Sequence, residues 1–143
     1  MLYISWTRSC ESERTGTTLA TIYTEVDLDR PADEVWAEVA DVGGISNMLD
    51  IVDESSAEGD IRRCTLASGA EIEEQIIAID HDRRRVAYTV TKGLPFDFHA
   101  ASMQVFPRGE GGCTLRWITD VKPDSQAKRM GPMFEADLQR LAQ

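Results

Sequence analysis

The sequence predicts an α+β domain in which a curved antiparallel sheet of about seven strands wraps around a C-terminal helix. Residues 71–91 alternate apolar and polar side chains on both sides of a polar turn, the pattern of a β-hairpin with one buried face. Further alternating segments flank this hairpin, and helical segments precede and follow them, in the order β-α-α-β6-α. A long antiparallel sheet must curl, and a helix on its concave face leaves either a packed core or an enclosed cavity.

Length and charge favour one globular domain. The chain has 143 residues, 42% of them hydrophobic, and a formal charge of -10, which is enough to bury a core. The acidic balance disfavours nucleic acid and anionic membranes as partners, because both require a basic face. We assign residues 19–143 to the domain and residues 1–18, which have no clear period, to an N-terminal tail or an extra strand.

Cysteine and histidine usage bears on compartment and cofactors. The three cysteines are scattered without a CxxC pair, which suits a reducing compartment. The two histidines are separated and offer no metal-ligand spacing. No apolar run reaches membrane-spanning length, and Leu2–Trp6 lacks the features of a signal peptide. We therefore expect a cytoplasmic monomer or homodimer without metal or other cofactor and without membrane insertion.

The N-terminal part of the domain predicts one strand and two helices. Ala20–Leu28 alternates as a strand. Pro31 suits a first helical position, and Asp33 and Glu34 suit the positive end of the helix dipole. The apolar stripe of this helix is Val35, Trp36 and Val39, and that of a second short helix after Gly44 is Ile45, Met48 and Leu49.

The remaining elements are six strands and a helix. Two strand candidates, 51–57 and 61–66, precede the hairpin, in which Ile72, Ile76 and Ala78 form the apolar side of the first arm. Two more strands follow, from about residue 96 to 106 and from 113 to 121. Phe134, Leu138 and Leu141 then lie on one helix face. Gly131-Pro132 interrupts the pattern, so that Pro132 is the candidate first residue of a short C-terminal helix.

Several local phrases occur together with this order of elements. They are LDRPADEVW at 28–36, IRRCTL at 61–66 with Gly69 and Glu74, GLP at 93–95 and the Leu115-Arg116-Trp117 triplet. From about residue 19 to the end, the chain resembles the START/SRPBCC superfamily, and more narrowly its polyketide cyclase/dehydrase-like branch. The resemblance implies the helix-grip fold. It implies no single activity, because members include cyclases, lipid carriers, hormone receptors and chaperone co-factors.

Strand parity on this fold selects the residues that face the cavity. On each strand, the positions of the large apolar residues identify the inner face, and polar residues of the same parity are then predicted to point inward too. A one-residue bulge would invert this assignment along the rest of the strand. These inward polar residues are Thr24, Arg62, Glu74, Asp97, His99 and Thr119. The predicted ligand-binding set is Thr24, Val26, Met48, Ile76, Tyr88, Val90, Asp97, Met103, Trp117, Thr119, Phe134 and Leu138.

Glu74, between two inward isoleucines, has two interpretations. As a carboxyl group in an apolar cavity it would have a raised pKa and serve as general acid or base. The interpretation we favour is an ion pair with Arg62 on the adjacent strand, which holds the register and keeps Glu74 charged. Both can apply, since such a pair also orients a ligand.

His99, Tyr88 and Trp117 are further candidates. His99 could shuttle a proton in an aldol-type cyclisation or a dehydration, but we favour a hydrogen-bonded or solvent-facing histidine at the cavity mouth. Tyr88 and Trp117 could stack on a planar ligand and offer hydrogen bonds. Ordinary core packing is the alternative for both and the favoured one for Trp117.

The sequence is compatible with three functions. We favour a function without catalysis, because the sequence contains no tight acid–base–nucleophile constellation. The first is binding, without catalysis, of a small and mainly hydrophobic organic ligand, which the resemblance implies is polyketide-, lipid- or hormone-like. The second is an aromatase/cyclase or dehydratase, with Glu74 and His99 as acid–base candidates and Arg62 as anion stabiliser. The third and weakest is a protein-interaction domain whose cavity is filled by its own side chains.

Overall fold

The computed structural model describes residues 18–143, in which seven strands, two α-helices and one 3₁₀ helix form. The strands are β1 (Ala20–Leu28), β2 (Val52–Glu58), β3 (Ile61–Leu66), β4 (Glu71–Asp80), β5 (Arg85–Lys92), β6 (Phe98–Arg108) and β7 (Gly112–Lys122). The helices are α1 (Ala32–Ala40), the 3₁₀ helix (Val42–Asn47) and α2 (Ser125–Leu141). The prediction of a tail or extra strand at residues 1–18 concerns a segment that, apart from Thr18, lies outside the described residues.

The strands form one antiparallel sheet in the order β1-β7-β6-β5-β4-β3-β2. The strands from β2 to β7 pair with their neighbours in sequence, and β1 joins the far edge by pairing with β7 over its whole length. Inward residues alternate with outward ones along β1 and β7, as the hydrophobic pattern predicts. The helices cover the inner face, and the core lies between them and the sheet. The predicted element order is confirmed.

A bulge in β4 changes one part of the predicted hairpin. Ile76 pairs with Tyr88, but the next pair is Ala78 with Ala87, so Ile77 has no opposite residue. The extra residue inverts the alternation beyond it. Ile72 and Ile76 are buried as predicted, whereas the prediction of an inward Ala78 is wrong, because this residue is exposed.

The two predicted N-terminal helices both form, with different details. Pro31 is the N-cap of α1 rather than its first helical residue, and Asp33 and Glu34 occupy the first turn. The second short helix is a 3₁₀ helix that kinks at Gly44. It buries Val42 and Ile45 against the core, so that the chain turns from α1 into β2 without leaving the inner face.

The C-terminal helix is longer than predicted. It begins at Ser125 and carries Pro132 in its interior, so the prediction of a short helix starting at Pro132 is wrong. A proline removes one hydrogen bond of the helix and crowds the preceding turn, but the apolar face continues through it. Met130, Phe134 and Leu138 are all buried against the sheet, and this packing outweighs the local preference for a helix boundary. None of the helices within residues 18–143 is long and apolar enough to cross a membrane.

Candidate ligand-binding site

A cavity of about 60 Å³ lies between the inner face of the sheet and α2. Its walls are mainly aliphatic and aromatic, with Arg62 and Glu74 as the charged members. The lining residues are Ile45, Leu49, Ile51, Val52, Arg62, Leu66, Ile72, Glu74, Tyr88, Val90, Leu94, Phe96, His99, Trp117, Met130 and Phe134.

One side of the cavity meets the protein surface. Five lining residues are only partly buried and mark this mouth: Ile51, Leu66, Val90, Leu94 and Phe96. The last two belong to the short linker between β5 and β6, which Gly93 begins with a φ of +98°. A Cβ atom at Gly93 would lie 2.2 Å from the carbonyl oxygen of Glu71, so only glycine allows this turn. The turn therefore positions Leu94 and Phe96 at the cavity edge.

The structure separates the predicted cavity residues into three groups. Tyr88, Val90, Trp117 and Phe134 line the cavity. Seven others are buried in the core without lining it: Thr24, Val26, Met48, Ile76, Met103, Thr119 and Leu138. Asp97 is exposed, and its assignment to the cavity is wrong. The reason is that β6 begins at Phe98, so strand parity does not extend to the linker residue before it.

Other lining residues were absent from the predicted set. Most lie in connecting segments or at element ends, where neither strand nor helix periodicity applies. Leu94 and Phe96 could have been identified from one feature of the sequence, because they are large apolar residues in a predicted loop. Met130 lies four residues before Phe134 and would have joined its helix face if the helix had been extended past Pro132.

Arg62 and Glu74 form a buried ion pair at the end of the cavity near β3. They are directly opposite on β3 and β4, and Arg62 Nε donates to Glu74 Oε1 at 2.9 Å. Arg62 Nη1 donates to the carbonyl oxygen of Val42 at 3.2 Å. Burial is the largest single influence and lowers the pKa of Arg62, but Glu74, Tyr88 and Cys64 together outweigh it, so the pKa is raised on balance. The geometry is that of the ion-pair interpretation.

Cys64 adds a weak donor to this pair. Its thiol lies 3.4 Å from the same oxygen of Glu74. Burial, with a further contribution from the Glu74 charge, raises the pKa of Cys64 to about 12. The thiol therefore stays protonated and serves as a hydrogen-bond donor rather than as a nucleophile.

A stacked set of aromatic groups links the ion pair to α2. The guanidinium of Arg62 lies 4.6 Å from the centre of the Tyr88 ring, a cation–π distance. Trp117 Nε1 donates to the Tyr88 hydroxyl oxygen at 2.9 Å. The indole of Trp117 in turn stacks on Phe134, with ring centres 4.0 Å apart. Burial raises the pKa of Tyr88, so the phenol stays protonated.

His99 is held in one neutral form at the cavity wall. The β5–β6 ladder ends at the Tyr88–Ala101 pair, which leaves the amide of Val90 free to donate to His99 Nδ1 at 3.0 Å. Burial lowers the pKa of His99 to about 4. A neutral imidazole that accepts at Nδ1 carries its proton on Nε2, and Nε2 has no partner within residues 18–143. The group is therefore a hydrogen-bond donor and is poorly suited to accept a proton.

A larger depression of about 450 Å³ lies on the outer side of β2, β3 and β4. It is an open groove lined largely by polar and charged side chains. Glu73 lies 3.5 Å from both Arg63 and Lys92 there, so the charges of the groove compensate one another. Ligand sites are usually concave and mainly apolar, which favours the inner cavity despite its smaller volume. Within the described part of the chain, no three His, Cys, Asp or Glu side chains are grouped to hold a metal ion.

Comparison with known proteins gives a match over almost the whole domain. The model of the family described as polyketide cyclase / dehydrase and lipid transport matches residues 20–143. No curated protein matches the chain.

Solved structures share the fold. An uncharacterised protein from Bacillus thuringiensis has a TM-score of 0.79 at 15% identity, over 86% of this chain and 96% of its own. A protein from Thermobifida fusca has a TM-score of 0.72 at 25% identity, over 85% and 90%. Norcoclaurine synthase from Thalictrum flavum, solved with dopamine and hydroxybenzaldehyde, has a TM-score of 0.66 at 20% identity, over 90% and 88%. These likenesses confirm the predicted helix-grip fold.

Proposed function

Since the chain belongs to the polyketide cyclase / dehydrase and lipid transport family, we propose that it binds a small, mainly hydrophobic organic ligand in the cavity between the sheet and α2. The observation that carries this proposal is the composition of the cavity wall. Aliphatic and aromatic side chains surround a small polar cluster of Arg62, Glu74, Tyr88 and His99. Apolar walls supply affinity, and a few placed polar groups supply orientation.

The cavity volume indicates how a ligand would enter. About 60 Å³ accommodates a few water molecules, whereas sites for drug-sized ligands measure roughly 300–1,000 Å³. A ligand must therefore displace side chains at the mouth. Leu94 and Phe96 are suited to move, because they are partly exposed and lie in a linker rather than in a strand. Binding would widen the space between this linker and Met130 on α2.

Within residues 18–143, the polar groups of the cavity form no free acid–base pair, which supports binding without catalysis. The Glu74 carboxylate accepts from Arg62 and Cys64 within the described residues, and His99 Nδ1 accepts from the backbone. General acid–base catalysis requires a group that exchanges its proton near the working pH. With a pKa of about 4, His99 does not meet this requirement near neutrality.

The cyclase or dehydratase alternative has one observation in its favour. His99 and Tyr88 both present hydrogen-bond donors at the cavity, and such donors stabilise the negative charge that develops on an enolising carbonyl. If the protein catalyses such a reaction, His99→Ala should abolish turnover of the ligand while the fold survives. If it only binds, there is no turnover to lose.

Protein-observed NMR with naphthalene as the probe tests the proposal. We expect saturable one-to-one shifts of the Trp117 indole N–H and of the amides of Val90 and Leu94. Val90→Phe, which narrows the mouth, should weaken binding at least tenfold. Ile77→Phe is the matched control, because Ile77 is 61% exposed and outside the cavity, and it should bind as the wild type does.

A flat response of these resonances to naphthalene, or equal binding by the two variants, would contradict the proposal and favour an interaction domain with a filled cavity. Non-denaturing mass spectrometry of protein from its native host gives a second readout. An extra mass of small-molecule size that is lost on denaturation would identify the natural ligand.

A further inference from the structure

Two amphoteric side chains at the cavity have their acceptor sites occupied by the protein itself. The imidazole of His99 accepts at Nδ1 from the Val90 amide, and the hydroxyl oxygen of Tyr88 accepts from Trp117 Nε1. A neutral imidazole has one donor and one acceptor nitrogen, and a phenol has a single O–H donor. Each group can therefore form one further hydrogen bond, and only as a donor: through Nε2–H in His99 and through O–H in Tyr88.

Neither donor has an acceptor among residues 18–143, and both side chains line the same cavity. The two rings are neighbours, with centres 6.0 Å apart, so one small ligand can reach both. A ligand with an acceptor atom within reach of both donors would pair them, and each such hydrogen bond adds modestly to binding.

The charges of the cavity balance. Arg62 and Glu74 neutralise each other at 2.9 Å, and His99 is neutral near pH 7 because burial lowers its pKa to about 4. A charged ligand would enter the apolar cavity without a free counter-charge and would lose its hydration. The site is thus suited to a neutral molecule.

We propose that the cavity selects neutral aromatic or aliphatic ligands that carry a carbonyl oxygen, which accepts hydrogen bonds from Nε2–H of His99 and O–H of Tyr88. Trp117 and the Val90 amide are the positioning groups, because each occupies an acceptor site and so directs a donor toward the ligand. This inference rests on the proposed function and adds the chemical class of the ligand.

The test compares two probes of nearly the same shape, acetophenone and α-methylstyrene, which differ by a carbonyl oxygen in place of a methylene group. By calorimetric titration we expect acetophenone to bind roughly tenfold more tightly, as two net hydrogen bonds allow. The carbonyl stretching frequency of bound acetophenone should fall below its value in hexane. Tyr88→Phe should reduce the preference for acetophenone over α-methylstyrene several-fold. Tyr23→Phe, at an exposed tyrosine of β1, is the control.

The outcomes separate the two proposals. Equal binding of both probes, with a carbonyl frequency as in hexane, would overturn the selectivity and leave the apolar-ligand function standing. Binding of neither probe, together with no response to naphthalene, would overturn both. Because removal of the Tyr88 hydroxyl leaves the Trp117 indole N–H unpaired, that variant is at risk of unfolding. The carbonyl frequency in the wild-type protein then decides the question alone.

Discussion

Arg62 and Glu74 face each other across β3 and β4 with Nε and Oε1 2.9 Å apart, and their side chains are only 4% and 6% exposed. A buried pair of this kind adds little net stability, because the loss of hydration offsets the attraction. It is nevertheless sensitive to the loss of one partner, which leaves a charge buried without compensation. The exposed pair of Arg116 and Glu25, also at 2.9 Å, is the natural comparison.

Glu74→Gln should lower the free energy of unfolding by about 3–5 kcal/mol, since it leaves the Arg62 charge unpaired in the core. Glu25→Gln should change it by less than about 1 kcal/mol. Urea denaturation of both variants and the wild type measures the difference. The double variant Arg62→Met with Glu74→Leu should recover most of the loss. Equal effects of the two single variants would show that the Arg62–Glu74 pair is not buried as described.

Stability should decrease in acid through His99. Its pKa is about 4 in the folded state and about 6.5 in an unfolded chain, so the unfolded state binds more protons between these values. The stability contributed by neutral His99 is complete above pH 6.5 and is lost as the pH falls to 4, by about 3 kcal/mol in total. In His99→Asn, which keeps an acceptor for the Val90 amide and does not titrate here, this component should be missing.

The measurement for His99 is the difference between wild-type and His99→Asn unfolding free energies from pH 8 to pH 4. The two curves should run parallel above pH 7 and converge below pH 6.5, while effects of the many carboxylates cancel in the difference. Parallel curves over the whole range would rule out a buried neutral His99.

Asp137 connects α2 to the segment before β2. Its carboxylate accepts from the amides of Asp50 and Ile51 at 2.9 and 3.0 Å, and from Arg140 at 2.8 Å. Asp137→Asn replaces one accepting oxygen with a donor and should lower the free energy of unfolding by about 1–3 kcal/mol. Hydrogen exchange at the two amides should accelerate. Glu135→Gln, at an exposed position of the same helix, should leave stability and exchange unchanged.

The thiols of Cys64 and Cys113 should be unreactive in the folded protein. Both are buried, and burial raises their pKa, that of Cys64 to about 12. At pH 8 a thiol of that pKa is ionised to about one part in ten thousand. A Cys10→Ser variant treated with a thiol-specific disulfide reagent should show no fast reaction when native and two reacting thiols in guanidinium. A fast-reacting thiol in the native variant would contradict this expectation.

Much of the sheet could be predicted because strand alternation is a local property. The bounds of β1 and β3 agree with the prediction, and parity correctly places Arg62, Glu74 and His99 on the inner face. Each of these assignments depends only on which neighbours along the strand are large and apolar.

The incorrect assignments have non-local causes. Ala78 is exposed because of a bulge that becomes visible only when β4 is aligned with β5. Asp97 is exposed because β6 begins at Phe98, so that Asp97 belongs to the preceding linker. The helix α2 begins at Ser125, before the predicted start at Pro132, because its packing against the sheet compensates for the hydrogen bond that Pro132 removes from the helix.

The α+β order, most of the inner face of the sheet and the candidate polar residues Arg62, Glu74, Tyr88 and His99 follow from local sequence pattern alone. Which inward residues border the cavity and which pack fully depends on the assembled fold, because a cavity is the volume that several elements leave between them. The assembled fold also determines which imidazole nitrogen of His99 carries the proton. The proton lies on Nε2 because β5 and β6 separate after Tyr88 and leave the Val90 amide to donate to Nδ1.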